Sequence, residues 1–166
     1  MLTIQGHQFH DAPLTSLDIH PGGAMAMTGG EDATSRLVSL ATGKVVGALR
    51  GHQDSVECVG LCDGLPFALS GSLDGTAILW DVHSLSVRHT CAHEAAVTSL
   101  RWVPGTCTFY SGCGGGKLRL WDGRTGLCVR TLTGHQDAIL DLWASPDGRQ
   151  VITSSDDGTA RVFNVV

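Results

Sequence analysis

Three residues of this chain, His52, Ser70 and Asp74, are of the types that together activate a serine nucleophile. A hydrolase would need that serine beside a substrate cleft with an oxyanion hole, and no G-x-S-x-G turn presents one. The stretch "GCGGGK" (112–117) has the composition of a phosphate-cradling loop, but Leu118 stands where a Ser or Thr would follow the lysine. The next segment reads as a strand, so the stretch is expected to be a turn. His89 with His93 and His7 with His10 would share a metal on a helix, whereas close spacing on strands and loops means little. The six cysteines form no C-x-x-C pair and read as buried free thiols in a reducing compartment. No metal and no cofactor is expected.

The residue types recur, and the recurrence decides between catalysis and architecture. "GHQD" stands at 51–54 and again at 134–137, with "AHEAAV" midway at 92–97 and "GHQFHDAPL" from Gly6. His7, His52, His93 and His135 thus mark a period of 41 to 45 residues, its first interval stretched by a short insertion around Phe9–Asp11. Each unit ends alike. "SGSLDGTAILWD" (70–81), "SGCGGGKLRLWD" (111–122) and "TSSDDGTARVFN" (153–164) begin 18 residues after their histidines, and "TGGEDATSRLVS" (28–39) is a weaker fourth copy. A triad that repeats with substitutions is scaffolding, and the chain is expected not to be an enzyme.

The elements that must position these residues are strands. Between turn signals such as "HPGG", "CDGLP", "DGRTG" and "SPDG" lie short runs rich in Val, Ile, Leu and Thr, without the three-and-four spacing of an amphipathic helix. "VITS" and "AILW" are apolar or small throughout, as in sheets buried on both faces. At 166 residues and 42% apolar content the chain is long enough for one well-buried domain, and no apolar run approaches the roughly 18–20 residues of a membrane span. "MLTIQGHQFHD" lacks a basic lead and an apolar signal core, so a soluble cytoplasmic protein is expected. The net charge of −5 disfavours a direct nucleic-acid binder.

Units of this length with G-H near the start and W-D near the end resemble the WD40 repeat family, whose unit builds a four-stranded blade of a β-propeller. The resemblance implies an all-β single domain over 1–166 with four four-stranded blades, either a small closed ring or half of a larger propeller. The repeats run about 6–50, 51–91, 92–133 and 134–166, and residues 1–5 ("MLTIQ") are expected to supply the outer strand of the last blade. It also implies a buried relay from tryptophan to Ser or Thr, to histidine, to aspartate. The second unit supplies Trp80, Ser70, His52 and Asp74. The third supplies Trp121, Ser111 and His93, with Gly115 in the aspartate's place. The fourth supplies Thr153, His135 and Asp157, with Phe163 for tryptophan. The first supplies Thr28, His7 and Asp32, with Val38 for tryptophan. Trp102 and Trp143 are expected in the core between blades.

Function is then expected from surface. In the propeller arrangement one face collects Asp11, Glu31, Asp54, Glu94, Asp137 and Asp156 beyond the relay aspartates, against Arg50 and Lys117. Such a field draws in a basic partner. The text "SVRHTCAHEAAVTSLRW", "LRLWDGRTG" and the end of the chain from "GHQDAILDLWASPDGRQ" resemble the C-terminal half of the angio-associated migratory cell protein branch of the family. Relatives there include a dedicated chaperone for a basic ribosomal protein, while members also carry an acidic leader and more blades upstream. The expectation is a non-catalytic interaction scaffold that holds a basic, ribosomal-protein-like peptide. The alternative is an adaptor in signalling, cell migration or ubiquitin-ligase recruitment. An incomplete ring would self-associate.

Overall fold

Antiparallel hairpins succeed one another through the described residues, 10–165, of the computed structural model. The first sheet is β1 (Leu14–Ile19), β2 (Met25–Gly30), β3 (Thr34–Ser39) and β4 (Val45–Arg50). The second is β5 (Val56–Leu61), β6 (Phe67–Ser72), β7 (Thr76–Asp81) and β8 (Ser86–Ala92). The third is β9 (Val97–Trp102), β10 (Thr108–Cys113), β11 (Leu118–Asp122) and β12 (Leu127–Leu132). The fourth is β13 (Ile139–Ala144), β14 (Gln150–Ser155) and β15 (Ala160–Asn164). Within each sheet the strands lie side by side in chain order, as four propeller blades. The first three have four strands and the fourth has three among the described residues. The expected outer strand at residues 1–5 lies outside the described residues.

Local chemistry makes these hairpins. The turn between the second and third strands of a blade passes through a left-handed residue, supplied by Gly75, Gly116 and Gly158 in blades 2, 3 and 4. Blade 1 puts Ala33 there, at φ 58°, a conformation that a Cβ disfavours. The pairing of each blade's first two strands carries one irregularity, between Leu14 and Ser16, Val56 and Cys58, Gly112 and Cys113, and Ile139 and Asp141. Such a bulge sharpens the local twist.

Three cores lie between successive blades. Met27, Leu37 and Leu49 of blade 1 meet Val56, Val59 and Trp80 of blade 2. Leu69, Leu79 and Cys91 of blade 2 meet Val97, Leu100 and Trp121 of blade 3, and Tyr110 and Leu118 of blade 3 meet Ile139, Leu142 and Val151 of blade 4. Each blade therefore offers a trailing face, from its second to fourth strands, to the leading face of the next. Hydrogen bonds cross the same seams. Thr15 Oγ1 donates to the Val56 carbonyl and Thr98 Oγ1 to that of Ile139, while the Leu61 N–H donates to Asp18 at 2.7 Å.

The innermost strands associate in the order β1, β5, β9, β13, and no comparable packing of β13 on β1 is present among the described residues. The blades form an arc with two ends rather than the small closed ring. Trp143 consequently departs from the core placement expected for it. It is exposed on β13, with the Arg101 guanidinium 4.4 Å from its ring centroid, because none of the described residues covers that side. Trp102 is buried, its Nε1–H donating to the Gly60 carbonyl.

Candidate functional site

In the second blade Ser70 sits on β6, fully buried, between the indole of Trp80 on β7 and the imidazole of His52 in the loop before β5. Trp80 Nε1–H donates to Ser70 Oγ at 2.7 Å, and Ser70 Oγ lies 2.7 Å from His52 Nε2. An ionised carboxylate can only accept, so Asp74 Oδ2 takes the Nδ1–H of His52 at 2.9 Å, and in the neutral imidazole Nε2 is then left to accept from the Ser70 hydroxyl. Asp74 also accepts from the Gln53 N–H and from Thr76. Burial alone would raise this carboxyl, but those hydrogen bonds outweigh it and hold Asp74 below the usual carboxylate range. A nucleophile would need to reach solvent; Ser70 spends its oxygen inside the blade.

The other blades vary the pattern. In blade 3, Trp121 donates to Ser111 at 2.8 Å and Ser111 meets His93 Nε2 at 2.7 Å. Gly115 leaves no carboxylate, so His93 Nδ1 turns to the Cys91 carbonyl at 3.2 Å. Burial, aided by the Arg119 charge, lowers the His93 pKa to about 4. In blade 4, His135 bridges Thr153 at 2.7 Å and Asp157 at 2.8 Å, with the Phe163 ring edge-on in place of an indole. Hydrogen bonds, Thr159 foremost, keep the Asp157 carboxyl well below its ordinary value.

Blade 1 corrects the sequence reading. Its histidine is His10, which contacts Asp32 at 2.7 Å and Thr28 at 3.0 Å; His7 lies outside the described residues. His10 stands 18 and 22 residues before these partners, the same separations as His52 from Ser70 and Asp74. The interval is therefore regular, without the stretch inferred around Phe9–Asp11. Arg36, buried on β3, adds an ion pair to Asp32 at 2.9 Å, a partner that the repeat pattern does not announce. Val38 fills the tryptophan position.

These relays end at one rim of the arc and fix its loops. In blade after blade the turn after the second strand donates to the loop before the first, as Glu31 N–H to Pro13, Leu73 N–H to Ser55, Gly114 N–H to Ala96 and Asp156 N–H to Ala138. Ser72 and Ser155 hydroxyls hold the Asp54 and Asp137 carbonyls at 2.9 and 3.0 Å. The His93 N–H donates to the Gly75 carbonyl, joining the rims of blades 2 and 3.

Asp11, Glu31, Asp54, Asp137 and Asp156 are exposed on that rim and make no ion pair among the described residues. Glu94 differs. Lys117 pairs with it at 2.8 Å and Arg119 closes on its other oxygen, pulling its pKa down to about 2. Arg119 escapes a count of rim charges made from sequence because β11 reads as an interior strand. All six cysteines are free; Cys128 is exposed rather than buried, while burial pushes the Cys62 and Cys91 thiols up to about 11 and 12.

The profile of the WD domain, G-beta repeat matches residues 1–39, 43–81, 85–122 and 126–164. Human angio-associated migratory cell protein is 36% identical over 177 residues, covering 98% of this chain and 41% of that protein. Nuclear distribution protein PAC1 of Arthroderma otae is 30% identical over 94% of this chain and 36% of its own. The chain thus spans about two fifths of the length of such curated relatives. Among solved structures, the computationally designed Ika4 protein superposes with a TM-score of 0.86 at 24% identity, over 100% of this chain and 99% of that one. The designed Ika8 protein gives 0.83 at 25% identity over 94% and 47%, and U3-55K gives 0.88 at 24% over 98% and 51%.

Proposed function

Starting from the fact that the chain belongs to the WD40 repeat family, we propose that its acidic rim holds a basic peptide segment of a protein partner. Members of this family are generally non-catalytic interaction scaffolds. The observation that carries the finer reading is the set of five exposed carboxylates without an ion-pair partner among the described residues, Asp11, Glu31, Asp54, Asp137 and Asp156, on loops already held by hydrogen bonds. Preorganised loops lose little entropy on binding, and like charges side by side create a field that steers cations in. A Lys- and Arg-rich segment of the ribosomal-protein type fits this field, and shielding it before assembly is the task of a dedicated chaperone.

Fluorescence anisotropy with a labelled Lys/Arg-rich peptide tests this. Binding is expected at low salt and is expected to fall steeply as salt rises. The combined Asp54→Lys, Asp137→Lys and Asp156→Lys variant should lose the peptide while its circular dichroism stays that of the parent. Binding that survives the triple reversal, or that ignores salt, refutes the proposal.

A further inference from the structure

The repeat makes every seam of the arc comparable, and the two ends are half-seams. At the leading end, Leu14, Leu17 and Ile19 of β1 are 50%, 69% and 52% exposed. Their counterparts on β5, Val56, Val59 and Leu61, are 8% exposed or less against blade 1, and those on β9 and β13 are likewise buried. At the trailing end, Ile152 of β14 and Val162 of β15 are 47% and 57% exposed. The residues in their places on blades 1 and 2, Met27 with Leu37 and Leu69 with Leu79, are closed off by the next blade. Trp143 of β13 lies beside Ile152 and Val162 and extends the same open surface. Apolar area of this kind, continuous along a sheet face, is costly to leave in water.

We infer that the leading face of blade 1 in one copy docks on the trailing face of blade 4 in a second copy, so that two chains complete one ring through two identical seams. A head-to-tail contact closes when the rotation between neighbours brings the second end back to the first. The arc's fit to about half of two larger solved chains gives the room for one further copy.

The details of the two ends point to each other. At the internal seams a glycine lies under a β-branched residue of the next blade. A Cβ on Gly29 would come within 2.8 Å of Val56 Cγ1, on Gly71 within 2.6 Å of Val97 Cγ1, and on Gly112 within 2.7 Å of Ile139 Cγ2. At the open seam both partners change together. Ser154 takes the glycine's place, and Leu14, which carries no second γ carbon on its Cβ, takes that of Val56, Val97 and Ile139. The added Cβ on one side is matched by the branch removed from the other.

The test is solution mass by light scattering, with substitutions at exposed positions only. The parent chain is expected at twice its 17.4 kDa. Leu17→Lys and Ile152→Glu should each run at single-chain mass, because either change damages both seams of the pair. Mixed one to one, they should recover the double mass, since the mixed pair keeps one parental seam and places lysine and glutamate in the other. Ile19→Lys with Val162→Glu serves as a second set, and circular dichroism reports that each variant keeps its strands. A parent at single-chain mass at tens of micromolar overturns the proposal, as does a larger open assembly. So does a Leu17→Lys or Ile152→Glu chain that still pairs alone, which would mean like face on like face, or a mixture that stays unpaired.

Discussion

Blades 2 and 3 carry the same tryptophan–serine–histidine relay and part company at its last link. In blade 2 the imidazole ends on Asp74, which also gathers the Gln53 N–H and Thr76, so that one carboxylate ties the core of the blade to its rim. In blade 3 Gly115 removes that carboxylate; His93 turns back to the Cys91 carbonyl, and the rim is held from outside by Lys117 and Arg119 on Glu94. The buried part of the relay thus survives loss of its charged end when a neighbouring carbonyl takes the N–H. The charge that blade 2 keeps inside is replaced in blade 3 by a neutralised surface cluster.

The contrast is most severely tested at the shared indole. Trp80→Ala removes the largest fully buried side chain of the seam and strands Ser70, and should cost about 3–5 kcal/mol. A urea unfolding free energy within about 1 kcal/mol of the parent's would mean that the seam between blades 1 and 2 is not packed as described.

Asp74→Ala imposes on blade 2 the gap that blade 3 already has, and should cost about 1–3 kcal/mol because His52, the Gln53 N–H and Thr76 lose their acceptor together. An unchanged midpoint would show that His52 finds a carbonyl as readily as His93 does.

The converse change is smaller. Gly115 has no neighbour closer than 3.7 Å to a Cβ and no left-handed φ, so Gly115→Asp fits, and a gain of about 1 kcal/mol or less is expected. Its sharper readout is pH. Below 6.5 the unfolded chain takes up a proton that the folded His93 refuses until about pH 4, so His93 makes stability fall as pH drops through that window and contributes no slope above it. With the new carboxylate beside it, His93 should titrate higher by NMR and this part of the acid slope should flatten. A His93 resonance that does not move would refute the assignment of position 115 to the relay.

Smallest of all, Glu94→Gln breaks an exposed cluster and should change stability by about 0.5 kcal/mol or less. It should also weaken a basic peptide less than Asp137→Asn does, since Glu94 is already neutralised and Asp137 is not. A larger effect from Glu94 would reverse the ranking of the two rims.

The repeat length, the strands and the relays of blades 2, 3 and 4 are readable in the residues because each requirement recurs at a fixed separation along the chain. In blade 1 the Gly-His pair draws attention to His7, whereas the physical condition is reach to Thr28 and Asp32, which His10 meets at the regular spacing. Trp143 departs from expectation for a different reason. Burial of a blade's face depends on its neighbour, and nothing in the composition of β13 announces that no described neighbour comes after it. Glu94 looks like Asp54 and Asp137 in the sequence because the cation that neutralises its second oxygen, Arg119, comes from a strand that reads as interior.

The exposed indole of the fourth blade gives the molecule an optical label of its own. Trp80, Trp102 and Trp121 are shielded, while Trp143 stands in water beneath a guanidinium. A soluble quencher therefore dims mainly one emitter, and loss of that quenching would register anything that covers the end of the arc.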